Sequence, residues 1–354
     1  MEIYVLDREI NILGVVGLYE SIIWTKRYTK PGKFKMSFAF SEKLNGVLQR
    51  GNLIYKTDED EAGYITGKGM TLNKRGEEII SITGKTLSGY LGKRIIWEKM
   101  ILNGTAEQAM RTMVDRQCIH CADEKRKIPK MILGELKGYP GNISKQISYE
   151  NLQEALTELA VKEGLGYRVL LNIDRRELLF DVYKGTDRTQ GSQEPCVFSR
   201  DFNNIVTQEY NEDDSNHRNV CLVGGSGEDT DRILVEVGNA SGLDRDEMFC
   251  NSASMSQKEL TLAEYRSQLA QSGAERIGNF YIARAFVSKV AEKISMNYGL
   301  GDYVTCYDKR WGIYMDTQIT EIEKGISKDE KYTVCTFGDD VPTLIDKIKA
   351  SQRG

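Results

Sequence analysis

The sequence predicts an α+β chain, mainly β, in which two related β units carry helical insertions. Three observations carry this expectation. One strand pattern occurs twice, about 250 residues apart. The first hundred or so residues alternate apolar and polar side chains with period two. Two amphipathic helical stretches then break the β pattern after Trp97.

The first copy runs Gly51-Asn-Leu-Ile-Tyr-Lys56, an acidic tip, Gly63-Tyr-Ile-Thr66, and then Glu78-Ile-Ile-Ser-Ile-Thr-Gly84. The second runs Gly301-Asp-Tyr-Val-Thr-Cys306, a polar tip, Gly312-Ile-Tyr-Met315, and then Lys331-Tyr-Thr-Val-Cys-Thr-Phe-Gly338. In each, one Gly precedes the first strand and another opens its partner. Gly51, Gly63, Gly301 and Gly312 are therefore the structural positions that define the repeat. Repeats this far apart are not a solenoid, whose units stack on their neighbours. Two unrelated β meanders would also give a loose match of this kind.

From Ile3 to about Ile96 the reading is β. Phe34, Met36, Phe38 and Phe40 alternate with shorter or polar residues, as in a strand with one buried face. Lys30-Pro-Gly-Lys33 is a turn signal, so Glu20–Tyr28 and Phe34–Phe40 form a hairpin. Asn52–Lys56, Gly63–Leu72 and Glu77–Lys85 add strands, and such spacing suits a sandwich or small barrel. Thr105 then caps a helix with Ala109, Met110 and Met113 on one face. After a polar loop, Asp123–Lys130, Ser148 caps a second helix whose Leu152, Ala155, Leu156, Leu159 and Ala160 form a stripe ended by Gly164. Strands resume at Tyr167–Asn172 and Glu177–Tyr183 around a turn at Asp174, then at Asn204–Tyr210, Arg218–Gly224 and Arg232–Asn239. Ser256–Ala270 is helical, and after Pro342 a short helix covers Thr343–Ala350.

A length of 354 residues calls for two or more domains. The balance of 48 basic against 52 acidic residues gives no electrostatic case for nucleic acid or a membrane surface. No signal peptide or apolar run of membrane-spanning length is visible, so synthesis and folding in the cytosol are expected. Cysteines such as Cys221, Cys306 and Cys335 lie in apolar strands and read as buried thiols in a reducing compartment.

Chemistry is sparse. Gly84-Lys-Thr86 lacks the upstream Gly of a phosphate loop, Ile79 standing there instead. Gly224-Gly-Ser-Gly227 lacks the Gly that a nucleophile elbow needs at Glu228, and reads as a glycine turn. Cys118-Ile-His-Cys121 has zinc-like spacing, but a closed site needs two further ligands; the alternative is a loop with two reduced thiols. Any triad would have to use His120 or His217, the only histidines, and His217 lies in a polar connection. A pair among Asp58 to Glu61, Asp213, Asp214, Asp339 and Asp340 could serve a glycosidase, but sequence does not set their separation. The tip Asp58-Glu-Asp-Glu61 reads more simply as a hairpin turn or charged contact surface. Most of the 18 tyrosines alternate with apolar residues inside strands, which favours core or subunit-interface packing over a sugar platform. No cofactor, catalytic residue or metal ligand is assigned, and no enzyme activity is expected.

An ordered series of segments resembles a phage tail family. It comprises Tyr19-Glu-Ser-Ile-Ile-Trp24-Thr-Lys-Arg-Tyr28, Pro31-Gly-Lys-Phe34, Gly51-Asn-Leu-Ile54 and Ile82-Thr-Gly-Lys-Thr-Leu-Ser-Gly-Tyr-Leu-Gly-Lys-Arg-Ile95. Phe180-Asp-Val-Tyr-Lys-Gly-Thr-Asp-Arg-Thr189, Val197-Phe-Ser199, Asn219-Val-Cys-Leu-Val-Gly-Gly225, Gly242-Leu-Asp-Arg-Asp-Glu247 and Leu300-Gly-Asp-Tyr-Val304 follow in order. The family is that of the tail or baseplate hub proteins of phages and prophages of Gram-positive bacteria, related to the N-terminal part of tail-associated lysins.

The resemblance implies two related antiparallel β-barrels with helical insertions, the tail-hub fold, in a homotrimer whose six barrels form a pseudo-sixfold ring. It places the first barrel at 1–96, completed by strands within 204–240, and a helical insertion at 97–164. The second barrel takes 165–203 and 280–340, with a helical or loop insertion at 241–279 and a C-terminal helix and tail at 341–354. The implied partners are the tail tube or distal tail protein, a spike or tip protein, the tape-measure protein and baseplate wedge proteins. The implied location is the tail of a virion or phage-like particle. The chain shows no peptidase, lysozyme-like or fibre region after Phe337-Gly-Asp-Asp-Val-Pro342, so lytic work is expected of other proteins. Two competing readings are a cell-wall hydrolase of the tail tip and a host-surface-binding tail module.

Overall fold

Alternation builds the first hairpin as expected: Phe34, Met36 and Phe38 turn one face of a strand inward, and Trp24 stacks on Phe34 with ring centroids 5.0 Å apart. The structure, a computed structural model, describes residues 1–74, 76–253, 255–257, 260–291, 296–328 and 330–339. It is mostly β, in antiparallel sheets with helices between them.

In chain order the strands are β1 (Ile3–Leu6), β2 (Ile12–Val16), β3 (Ser21–Arg27), β4 (Lys33–Ala39), β5 (Leu53–Lys56), β6 (Gly63–Leu72) and β7 (Glu78–Thr86). Then come β8 (Met100–Gly104), β9 (Met131–Leu133), β10 (Ile143–Ile147), β11 (Gly166–Asn172), β12 (Glu177–Tyr183), β13 (Asp187–Arg188) and β14 (Val197–Phe198). The last are β15 (Ile205–Asp213), β16 (Val220–Gly224), β17 (Leu234–Val237), β18 (Glu247–Asn251), β19 (Ala283–Val290), β20 (Tyr303–Asp308), β21 (Ile313–Ser327) and β22 (Lys331–Gly338). Among the described residues the α-helices are α1 (Glu42–Val47), α2 (Ala106–Val114), α3 (Leu152–Glu163) and α4 (Leu262–Ile277), with short 3-10 and π turns between elements.

The described chain divides into two compact units, one within 1–208 and 287–337 and the other within 209–286 and 338–339. The main sheet has the order β15-β19-β22-β21-β3-β4-β7-β6-β5-β1-β2. Residues 205–208 and 287–290 are the parts of β15 and β19 that belong to the first unit. The order contains one arrangement twice. β3-β4-β7-β6 and β15-β19-β22-β21 each place the first, second, fourth and third strand of a set side by side. β5 pairs with the start of β6, and β20 pairs with the start of β21. The order has two ends, and no closed barrel is seen among the described strands.

The first unit also holds the sheet β11-β12-β9 and the pair β8-β10. Its helices follow their sequence cues. Thr105 closes a capping box with Gln108 at the start of α2, and Gly164 ends α3 in the left-handed region at φ +64°. The α3 stripe is buried as its spacing requires. The cap of α3 is Asn151 and not Ser148, its Oδ1 accepting the N–H groups of Gln153 and Glu154. The reason is that residues up to Ile147 pair with Met100, and Tyr149 sits at φ +57°, so the helix starts only after that turn. The short helix α1, capped by Ser41, carries no stripe long enough to read.

In the second unit, β16 runs between antiparallel β17 and parallel β18, and α4 packs its Tyr265 and Leu269 against Cys221 and Val223. The expected helix at Ser256–Ala270 lies further on, because Thr261 and Glu264 form the capping box. The expected helix at Thr343–Ala350 lies outside the described residues.

Candidate functional site

The two strand sets meet where β21 pairs antiparallel with β3, from Glu321 opposite Arg27 to Ser327 opposite Ser21. This seam is the best-defined constellation of charged groups in the first unit. Arg27 Nε donates to Glu321 Oε2 at 2.5 Å, and Thr25 Oγ1 donates to Glu323 Oε2 at 3.1 Å. The acidic turn after β5 closes over the seam. Glu59, buried, sets its carboxylate 3.1 Å from Lys26 Nζ of β3 and 2.8 Å from Lys324 Nζ of β21. Asp60 accepts from Lys26 at 2.8 Å and from Arg168 of β11 at 2.6 Å, and Arg168 also donates to Asp181 of β12 at 3.0 Å. The turn thus clasps both strand sets and the β11-β12 hairpin. It is the hairpin turn between β5 and β6, with Asp58 and Asp60 exposed and Glu59 and Glu61 buried.

Electrostatics follow from that geometry. Burial opposes the charge on Lys26, but Glu59 and Asp60 overcome it and raise its pKa. Asp60 is lowered against its own burial by Lys26 and Arg168. Glu61, fully buried, is pushed up to about 7 by that burial, with neighbouring Asp60 adding to the rise and Lys26 opposing it. A cleft of about 480 Å³ lies beside the clasp, lined by Lys26, Lys324, Lys331, Tyr298 and Ile322 among others; its described lining carries no carboxylate or imidazole.

The glycines lie at the roots of the two strand sets. Gly51, at φ +92°, donates its N–H to Ile65 O at 2.8 Å, and Ile65 returns its N–H to Asn52 O at 2.9 Å. Gly301, at φ +93°, donates to Ile319 O at 2.8 Å, and Ile319 returns its N–H to Asp302 O at 2.8 Å. The register then shifts after Ile65 against β7 and after Ile319 against β22, the same bulge in both sets. Gly63 and Gly312 do not correspond in this way. Ile54 faces Gly63 and Val304 faces Thr317, so Thr317 takes the place of Gly63, while Gly312 sits in the turn at φ +67°. The second hairpin stays paired out to Asp308 and Ile313, whereas the first leaves its ladder early to form the clasp.

The residues weighed for catalysis lie apart from the seam. Cys118, in a π-helical turn after α2, is buried, and burial pushes its thiol up to about 12. Neighbouring His120 places Nδ1 2.7 Å from Asp115 Oδ1 on the surface. Gly227, at φ +102°, makes the Gly224–Gly227 segment a turn, with the Ser226 N–H donated to Tyr265 Oη at 2.8 Å. His217 lies 3.4 Å from Asp246. Among the described residues no group of three or more His, Cys, Asp or Glu side chains could hold a metal, and no helix is long and apolar enough to cross a membrane.

The fold is similar to that of solved prophage tail proteins. It matches the prophage MuSo2 43 kDa tail protein of Shewanella oneidensis at a TM-score of 0.58 and 15% identity, over 95% of this chain and 98% of that one. A tail protein of Neisseria meningitidis matches at 0.57 and 13%, over 96% of each chain. The prophage tail protein gp18 of Listeria monocytogenes matches at 0.52 and 11%, over 100% of this chain and 99% of that one. No curated protein sequence matches the chain. Residues 2–339 match the Siphovirus ReqiPepy6 Gp37-like protein family, and the chain belongs to that family.

Proposed function

We propose that this protein is the structural hub of a phage or phage-like tail tip, a homotrimeric ring of pseudo-sixfold symmetry that adapts a hexameric tail tube to a trimeric spike. The observation that carries the proposal is the doubled strand set, with the same glycine-rooted bonds at Gly51 and Gly301. Three copies of a chain with two equivalent sets present six similar contacts toward a tube and three toward a spike. Family membership and the tail-protein fold support the same reading.

In this proposal the two sets are the cores of two barrel domains, at 1–96 and at 165–203 with 280–340, the insertions lying at 97–164 and 241–279; the strands within 204–240 do not complete the first, since β15 belongs to the second set and β16 and β17 pair in a sheet of their own. The roots Gly51 and Gly301, with Gly63 and Gly312 in the hairpins they introduce, have a structural role and no catalytic one. The partners are the tube or distal tail protein, the spike or tip protein, and the tape-measure and wedge proteins. The protein works in the tail of the particle, without enzymatic activity or cofactor.

Light scattering on the purified protein, with negative-stain averages of the same peak, tests the proposal. A trimeric ring with a central channel is expected. A monomer that clears peptidoglycan would establish the hydrolase reading instead, and saturable binding of the isolated chain to host cell walls would favour a receptor-binding module.

A further inference from the structure

We infer that the edge of β6 away from β7, over Gly67–Leu72, pairs antiparallel with the edge of β15 (Ile205–Asp213) away from β19, in a second copy of this chain. The inference rests on the hub reading and specifies how its copies join.

The template lies within the chain. β21 uses its first half to pair with β20 and its second half, from Glu321 onward, to pair with β3, the first strand of the other set. β6 is its counterpart, with the same bulge after Ile65, and its first half pairs with β5 through Tyr64 and Gly63. The second half, Gly67–Leu72, pairs with β7 on one side only among the described strands. What β21 finds in β3, β6 lacks. The first strand of the other set is β15, which ends the sheet order and pairs only with β19 among the described strands. One chain therefore carries both halves of a second seam, one on β15 at an end of its strand order and one on the half of β6 that runs past β5.

The composition of the two edges fits pairing. An unpaired strand edge is normally guarded by charges, Pro or a bulge that turns it away. The stretch from Gly67 to Leu72 has two glycines, one lysine and no acid, with Met70 and Leu72 exposed. β15 offers exposed Val206 and Thr207 and a run of acids: exposed Glu209, Glu212, which is paired with Arg284 at 2.9 Å, and half-buried Asp213. Lys68, and Lys74 in the turn beyond, give β6 the opposite sign. In the seam within the chain, basic Lys26 and Arg27 of β3 face a strand bearing Glu321 and Glu323; between copies the signs exchange sides. Such a contact joins unlike surfaces, so it repeats head to tail and closes into a ring when the rotation allows.

Zero-length carbodiimide coupling of the full-length protein, mixed from normal and 15N-labelled chains, reads the seam directly. Mixed-isotope crosslinks from Lys68 or Lys74 to Glu209, Glu212 or Asp213 are expected. Met70→Asp, which places a carboxylate opposite the acidic strand, should weaken association roughly tenfold or more, while Met70→Lys should leave it intact. An oligomer that tolerates Met70→Asp and crosslinks elsewhere overturns the seam and leaves the hub reading standing. A chain that stays monomeric at high concentration, with no mixed crosslinks, also overturns the seam. Peptidoglycan clearance by that monomer would remove the hub reading as well.

Discussion

The ring of Tyr28 fills the space that a side chain at Gly301 would need. Tyr28 follows β3, is buried, and is held by its hydroxyl, 3.1 Å from Gly164 O and 3.2 Å from Tyr183 O, with the Gly185 N–H donated to it at 3.2 Å. At Gly51 the corresponding space is taken by the guanidinium of Arg8, a flexible side chain. Both glycines have the same positive φ, so alanine pays the backbone cost at either site, about 1–2 kcal/mol. Only Gly301→Ala must also displace a fixed ring, adding roughly 1–3 kcal/mol. Urea unfolding should therefore rank Gly301→Ala clearly below Gly51→Ala. Equal losses would mean that Tyr28 yields as easily as Arg8.

Glu59 ties β3 to β21 through two lysines while itself buried; without it Lys26 keeps Asp60, and Lys324, more than a third exposed, turns to water. Glu59→Ala should destabilise by about 1–3 kcal/mol, the range for losing a hydrogen bond to a charged group. The Arg27–Glu321 pair on the same seam is partly exposed and should contribute no more than about 1 kcal/mol in a double-mutant cycle. A Glu59 variant as mild as an Arg27 variant would show that the clasp does not hold the seam.

Part of this arrangement was legible in the sequence. The β3-β4 hairpin, helices α2 and α3 and the roots Gly51 and Gly301 carry local signals: alternation, a Pro-Gly turn, Thr105, Gly164 and repeated strand openings. The full strand sets do not. Between β15 and β19 the chain inserts most of the second unit, where β3 and β4 are joined by Pro31-Gly32, so the second set is split in sequence. The clasp was illegible for another reason. Four consecutive acids normally face water, but Glu59 and Glu61 are buried, and the cations around the turn sit at Lys26, Arg168 and Lys324, far apart in the chain. Matching Gly63 to Gly312 failed because the two hairpins differ in length, which spacing from the root glycine does not reveal.

Thiol reactivity provides an independent check on the region after α2. Burial holds the Cys118 thiol up to about 12, which keeps it protonated and a poor nucleophile at neutral pH. Cys250, at the end of a strand in the second unit, is partly exposed. Timed alkylation with peptide mass spectrometry should label Cys250 first and Cys118 only as the chain unfolds. Rapid labelling of Cys118 in the native protein would place it in an open, activated setting and reopen a redox or metal role for the Cys118–Cys121 pair.

Glu61 gives the clasp a pH dependence whose sign is fixed by burial. Its carboxyl titrates near 4.5 when free and at about 7 in the folded chain, so between these values the native state holds a proton that the unfolded state has released. Stability from this group is present below pH 4.5 and lost as pH rises through 7, at about 1.4 kcal/mol for each tenfold fall in proton activity. Asp60, lowered by Lys26 and Arg168, acts in the other direction and only at the acid end, below its free value of 3.8. The variant Glu61→Gln keeps the shape of the protonated acid and cannot ionise. Above pH 7 it should exceed the parent in stability by on the order of 2–3 kcal/mol, while at pH 4.5 the two should be nearly equal. Denaturant melts of both proteins at the ends of this window decide the matter. Parallel curves would mean that Glu61 is charged in the folded state and that Lys26 and Arg168 outweigh its burial.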